Sequence, residues 1–328
     1  MRRQDGGTVV RQNGGTLNIN QAIREATAQL SAAGIGSAAV DARLLMRYLL
    51  ADPGTSPAAP GVGADTAALV APRAAVDPGI LFLRADDPAP SAYADWVARR
   101  MAREPLQHIV GSAPFCGLDL FAEPGCFVPR PETELLADWA ARFLKGRPTP
   151  RVVDLCCGPG TLGLGVSFLY DAPISLTGIE FSDAALRLAE KNARLVPQVK
   201  ATFVQADLAV DDPAELSATA DVSPEAFAPA DVVVCNPPYV PESAEVSPEV
   251  AADPHAAVFS GDDGLELMPR VLQWAEALGR AGGGVGIEHD DSNGAQVAAM
   301  MQQRGWREIT QHHDLAGRPR FVTALLPQ

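Results

Sequence analysis

Asp231–Tyr239 joins three valines and Cys235 to Asn236-Pro237-Pro238-Tyr239. Consecutive β-branched residues read as a strand buried on both faces. Two prolines then remove two backbone donors and fix φ, so the chain leaves the sheet rigidly. That presents the Asn236 amide and the Tyr239 ring at the carboxyl end of a strand, where open α/β sheets bind ligands. Alone, Asn-Pro-Pro-Tyr is equally an ordinary strand-ending turn with a surface Tyr; three further strand ends add weight to the other reading. After Arg151–Leu155 comes Cys156-Cys157-Gly158-Pro159-Gly160-Thr161, and small residues at a strand-to-helix turn let a ligand approach backbone N–H groups. Glu180 ends the next strand about 20 residues on, where a carboxylate can hold both hydroxyls of a ribose. Asp207, followed by Leu208, ends the third and can accept from an adenine amino group. Glycine loop, acid and acid at successive strand ends describe an adenosine pocket.

This constellation holds no general base, no Ser-His-Asp set and no metal cluster. It fits transfer of an already activated group, such as the methyl of S-adenosylmethionine, to a planar nitrogen. The Asn236 side-chain oxygen and the Pro237 carbonyl can accept both hydrogens of an NH2 group, and Tyr239 can stack on its flat face. An amide nitrogen is a feeble nucleophile, because its lone pair is delocalised into the carbonyl. Fixed acceptors help most as positive charge grows on it during attack. His312-His313 and Asp262-Asp263 are expected to be a solvated pair and an acidic turn, with no metal bound.

Alternating strands and helices must position these groups. Strand Arg151–Leu155, a helix to about Tyr170, strand Ile174–Ile179, helix Asp183–Leu195 and strand Ala201–Gln205 lead to the valine strand. Helix Leu267–Leu278, strand Gly284–Glu288, a helix through Met300–Gln303 and two terminal strands follow. The pattern predicts an α/β fold with a mostly parallel, doubly wound sheet. Ahead of it, Ile19, Ile23, Ala26 and Leu30 mark one amphipathic helix, and Val40, Leu44, Leu45, Tyr48 and Leu49 a second. Tyr93, Trp96, Val97 and Met101 are the inward face of a third. Residues 18–103 therefore read as a small helical docking domain, with 1–17 a mobile tail and 51–79 a flexible insertion carrying one short helix around Ala67–Val70. Residues 104–127 read as a hairpin-like connector and 128–328 as the catalytic domain. In the latter, Thr133 is placed to cap the helix bearing Leu135, Leu136, Trp139, Ala140, Phe143 and Leu144. Residues 240–264 read as a long loop beside the site.

The 328 residues allow about two domains, and 47% hydrophobic with 20% charged residues is ordinary globular composition. Lys plus Arg number 26 against 40 Asp plus Glu, a net charge of -14, which disfavours direct nucleic-acid binding. Five cysteines without a Cys-x-x-Cys pair argue against a disulfide framework or a zinc site. No leader-like start or uncharged apolar run of the ~18 residues needed to span a membrane is present. A cytoplasmic monomer with no membrane partner is expected.

Over almost its whole length the chain resembles the HemK/PrmC-type protein-glutamine methyltransferases, which modify the Gly-Gly-Gln glutamine of peptide chain release factors. The resemblance lies in Pro105-Leu106 with His108–Gly111, Pro129–Glu134, the Asp154–Gly160 loop and Asn236–Pro241. It continues in Gly261–Leu265 and Asp314–Arg318. It implies a seven-stranded class I S-adenosylmethionine-dependent methyltransferase domain behind a helical substrate-docking domain, with release factors as protein partners. It further implies that Cys156, Cys157, Gly158, Pro159, Gly160, Glu180, Asp207, Leu208 and Asn236 hold the cofactor. Asn236, Pro237, Pro238 and Tyr239, with Arg130 and Glu132, would hold the glutamine; Asn236, Pro237 and Tyr239 would act in catalysis. The chain departs from the family pattern in Cys156 for the loop's usual first Gly, in Pro159, in the length of the 51–79 insertion, and in Glu288-His289 for the usual Glu-Ile-Gly. A nucleic-acid amino-methyltransferase would share the pocket, but the acidity and the lack of a basic or aromatic RNA-binding module weigh against it. A catalytically silent methyltransferase-fold adaptor has no physical need for Gly158, Gly160, Glu180 and Asn236 together.

Overall fold

The computed structural model describes residues 17–51, 72–170, 172–219 and 222–328. The chain divides into two compact units, Met1–Ser112 and Ala113–Gln328.

The first unit is helical. Asn18 opens α1 (Ile19–Ala32) by accepting from the Gln21 backbone while the Gln21 side chain accepts from the Asn18 N–H, a reciprocal cap. α2 (Ala38–Ala51), α3 (Ile80–Leu83), α4 (Tyr93–Met101) and α5 (Leu106–Val110) follow. Leu30, Leu45, Met46, Trp96 and Ile109 form its core. Two of the expected inward residues face out: Val40 is 56% exposed and Met101 39%. On α4 the last inward place is taken by Arg100, four residues beyond Trp96, while Met101, four beyond Val97, is the final residue of the helix. Arg100 is buried there and donates to Asp41 of α2 at 2.7 Å. Of the expected tail and insertion, residues 1–16 and 52–71, with the short helix at Ala67–Val70, lie outside the described residues. Residues 72–79 are packed against the helices: Arg47 Nε donates to the Val76 carbonyl at 2.7 Å, and the Arg73 guanidinium lies 5.4 Å above the Trp96 ring. The insertion reading therefore fails for its last eight residues, because Ala75 and Val76 supply apolar contacts.

The second unit begins with a hairpin, β1 (Ser112–Phe115) and β2 (Leu118–Phe121), whose Phe115 and Leu120 join its core. The expected 104–127 connector is thus split, α5 belonging to the first unit. The seven-stranded sheet runs β5-β4-β3-β6-β7-β9-β8, from β3 (Arg151–Leu155), β4 (Ile174–Glu180), β5 (Val199–Gln205), β6 (Ala230–Cys235), β7 (Gly279–Glu288), β8 (Arg307–His313) and β9 (Pro319–Leu325). Only β9 runs antiparallel to its neighbours. The helices are α6 (Glu134–Phe143), α7 (Thr161–Tyr170), α8 (Asp183–Ala193), α9 (Pro213–Thr219), α10 (His255–Val258), α11 (Met268–Leu278) and α12 (Gly294–Gln303). Both faces of the sheet are covered. Val232 and Val234 pack with Leu136 and Leu164 on one side, while Val233 and Cys235 pack with Val271 and Leu272 on the other. The strand order reverses between β3 and β6, which places a ligand crevice there. Leu155 is in register with Cys235, so both strands deliver their loops at the same level.

Candidate active site

A cavity of about 260 Å³ opens at the carboxyl ends of β3, β4, β5 and β6. Of the expected cofactor residues, Cys156, Cys157, Gly158, Pro159, Glu180, Asp207, Leu208 and Asn236 line it. Gly160 does not. At φ +79°, with a hypothetical Cβ only 3.3 Å from that of Ala189, its smallness serves the packing of α7 against α8. Cys156, where the resemblance leads to an expected Gly, adopts φ +54°, and Gly158 φ +53°, so with Gly160 this loop needs left-handed backbone three times before α7 begins.

Glu180 is buried and both its oxygens are anchored. Oε2 accepts from the Gly158 N–H and Oε1 from the Ser182 N–H, each at 2.9 Å. Burial raises its pKa while these backbone bonds pull it back. Each oxygen keeps a lone pair for a ribose hydroxyl. Deeper, Asp154 accepts from Gly163 N–H at 2.8 Å, and burial pushes its pKa up to about 7. Asp207 commits Oδ1 to the Ala209 N–H at 2.9 Å, leaving Oδ2. The Thr161 hydroxyl is buried at the cavity with no hydrogen-bond partner, at the start of α7. Carboxylates, an unpaired hydroxyl and a helix N-terminus fit S-adenosylmethionine: an acidic wall for its cationic centres and ribose, and α7 with Thr161 for its carboxylate.

On the acceptor side Asn236, Pro238 and Arg130 line the cavity, whereas Pro237, Tyr239 and Glu132 do not. Pro237 is buried and Tyr239 half-buried. The Tyr239 hydroxyl donates to Glu288 Oε1 at 3.3 Å, so this end of the ring is tied to the protein. Arg130 is also held: its guanidinium pairs with the buried Asp253 and lies 5.0 Å above the Phe127 ring. Glu132 faces Arg318 at 3.8 Å. Thr133 does not cap α6. It ends a 3₁₀ turn, Pro131–Thr133, that runs straight into the helix with no side-chain cap, because Pro131 has already set helical φ. Its hydroxyl instead accepts from Asn236 Nδ2 at 3.3 Å and lies against Glu288, lowering that group's pKa. Burial nevertheless pushes Glu288 up to about 7.

The expected loop 240–264 is substantially structured. Val240 pairs with Phe259, the Tyr239 and Val240 N–H groups both donate to the Val258 carbonyl, and Pro254, Ala256 and Ala257 line the cavity. Gly264 is required here: at φ +77°, a Cβ would sit 2.1 Å from the Tyr239 carbonyl oxygen. His289 is fully buried, its Nδ1–H donating to the Asp290 carbonyl at 2.7 Å, so Nε2 accepts from Gln311 at 2.8 Å; the ring is a neutral structural tie. His312 is likewise no solvated residue, stacking on Phe321 with ring centroids 4.4 Å apart and bonding Thr323 at 2.8 Å. Sequence reasoning missed Asp154, Thr161, Asp253 and Glu288. Only Asp154, an acid inside an apolar strand, carried a local signal.

Residues 132–253 match the model of the methyltransferase small domain. The chain is 42% identical to a release factor glutamine methyltransferase of Corynebacterium glutamicum, over 94% of this chain and 99% of that protein. It is 39% identical to one of Mycolicibacterium smegmatis, over 93% and 97%. A 4-amino-L-phenylalanine/4-methylamino-L-phenylalanine methyltransferase of Streptomyces pristinaespiralis is 36% identical over 88% of both chains.

Proposed function

Since this chain belongs to the release factor glutamine methyltransferase family, we propose that it methylates the side-chain amide nitrogen of the Gly-Gly-Gln glutamine of a peptide chain release factor. The observation that supports this most is the placement of Asn236 and Pro238 in the same acidic cavity as Glu180 and Asp207. S-adenosylmethionine, when bound, supplies a methyl group already activated by a sulfonium. Glu180 and Asp207 hold its adenosine, and Asp154 with Glu180 favours positive charge nearby. The Oδ1 of Asn236, which lines the cavity, and the carbonyl of Pro237, which does not, are the two acceptors this reading gives to the hydrogens of the glutamine amide, turning its lone pair toward the methyl. As the nitrogen gains positive charge, both acceptors strengthen, so they stabilise the transition state more than the ground state. The apolar residues Ala257, Leu208 and Leu267 line the cavity and keep water from competing for the methyl group.

The test offers the purified protein labelled S-adenosylmethionine with an intact bacterial release factor, with RNA, and with 4-amino-L-phenylalanine, and locates the label by mass spectrometry. Label on the Gly-Gly-Gln glutamine is expected. Asn236→Ala should bind cofactor normally and turn over about 10²–10³ more slowly. Label on RNA or the free amino acid alone would replace this reading.

A further inference from the structure

We propose that Thr133, backed by Glu288, is a positioning residue that fixes which end of the Asn236 amide faces the acceptor nitrogen; this rests on the glutamine methyltransferase reading above. An asparagine amide has an acceptor end and a donor end of nearly the same shape, exchanged by a half-turn of the side chain. In catalysis the two ends are opposites: Oδ1 accepts from the substrate NH2, whereas Nδ2 would meet it donor to donor. Something must hold the right end forward. A hydroxyl alone cannot, because it donates or accepts as its neighbour requires.

The tie is broken one residue further back. Glu288 ends β7, is 1% exposed and makes no ion pair among the described residues. Tyr239 donates to its Oε1, and Oε2 is buried without a hydrogen-bond partner. The Thr133 hydroxyl, 3% exposed, lies against this carboxyl. In its ionised form the carboxyl, whose Oε2 no other donor satisfies, draws the hydroxyl hydrogen to itself, so Thr133 Oγ1 is then left with lone pairs and can only accept from Asn236. That is the arrangement present, Asn236 Nδ2 donating at 3.3 Å, and it leaves Oδ1 for the substrate. The failure of Thr133 to cap α6 follows: its hydroxyl is engaged on the other side. Tyr239 donates to the same carboxyl, so one buried acid orders both ends of the Asn236–Tyr239 segment.

Thr133→Val keeps the shape and removes the hydroxyl; Thr133→Ser keeps the hydroxyl. With the full-length enzyme and an intact release factor, Thr133→Val should lower kcat roughly 10–100-fold, as misorientation of one reacting group does. KM and the calorimetric Kd for S-adenosylmethionine should stay within about threefold, and Thr133→Ser should recover most of the rate. On an Asn236→Ala background, Thr133→Val should add almost nothing, since it acts only through that residue. Glu288→Gln, which can donate as well as accept, should lower kcat without changing volume and serves if Thr133→Val does not fold. A readout independent of turnover is the Asn236 side-chain NH2 resonance, identified by its loss in Asn236→Ala. It should be protected from hydrogen exchange in the wild type and in Thr133→Ser, and exposed in Thr133→Val. Wild-type protein that methylates no release factor would sink the functional reading. Unchanged NH2 protection in Thr133→Val, or an unchanged kcat beside an active wild type, would overturn the positioning role.

Discussion

The two units treat buried charge in opposite ways. In the helical unit Asp41 and Arg100, both buried, meet at 2.7 Å, and charge is cancelled where it serves only the fold. In the sheet unit Asp154, Glu180 and Glu288 are all buried and receive N–H or O–H donors, yet none makes an ion pair among the described residues. The sheet unit can pair charges elsewhere, as Asp253 with Arg130 and Asp314 with Arg318 and Arg320. Leaving carboxylates without cations at the strand ends therefore belongs to the site. A buried unpaired charge destabilises the folded chain, and such perturbed groups concentrate where a ligand or a reaction needs them. On the function proposed above, the missing positive charge would come from the cofactor and from the nitrogen being methylated.

The largest test of that contrast is Arg100→Leu. It strands Asp41 in an apolar core and should cost about 3–5 kcal/mol in urea unfolding, with Asp41→Leu added to Arg100→Leu recovering most of it. A loss below about 1 kcal/mol would mean the pair is not a fold-serving pair at all.

Next in size is the pH dependence contributed by Glu288. Its folded pKa is raised from 4.5 to about 7, with burial the main cause. Below pH 4.5 both states hold the proton. Between 4.5 and about 7 the unfolded chain releases it while the folded one retains it, so stability falls as pH rises, then levels. The span is up to about 3 kcal/mol at 1.36 kcal/mol per unit. Asp154, also raised to about 7, acts in the same direction. Glu288→Gln should leave a shallower slope across this window; an identical slope would show that Glu288 ionises freely in the fold.

Glu180→Gln makes a different prediction from Arg100→Leu. Removing a charge that no cation balances is favourable, but the Gln NH2 must face the backbone N–H of Gly158 or Ser182, so the two effects oppose and the net loss of stability should stay at about 1 kcal/mol. Affinity for S-adenosylmethionine should fall by about 1.5–3 kcal/mol, the worth of hydrogen bonds to a charged group. Calorimetry with unchanged affinity would remove Glu180 from the cofactor site.

The strand ends were legible because β-branched runs stop at polar residues, and because successive stops at Gly158, Glu180, Asp207 and Asn236 fall on adjoining strands. What escaped depends on long-range meetings. Thr133 and Asn236 are 103 residues apart, and nothing near Thr133 in sequence distinguishes a cap from a bridge. Arg100 reads as a surface residue until Asp41 is known to face it. The segment from 240 to 264 reads as loop because its order comes from one bridge, the four-residue α10 and a tight glycine contact, none long enough to carry a periodic pattern. The first 16 residues and residues 52–71 remain expectations from composition.

Cys156 gives the smallest expected effect. The acids of this pocket are unpaired for a ligand's benefit, and the same question applies to its backbone: is left-handed φ at a non-glycine residue part of the site? At φ +54° Cys156 costs on the order of 1–2 kcal/mol relative to an unstrained residue. Glycine would relieve that but adds about 0.5–1 kcal/mol of unfolded-chain entropy. It also gives up the thiol's packing against the core and its contact with Cys235. Cys156→Gly should thus be stabilising by about 1 kcal/mol or less, or neutral. Affinity for S-adenosylmethionine should change little, because Gly158 still offers an open approach: a Cβ there would meet nothing within 4 Å. A much larger loss of affinity, with stability intact, would show that the thiol itself touches the cofactor. That would make Cys156 a ligand contact of this chain, in a place where a glycine would have no side chain to offer.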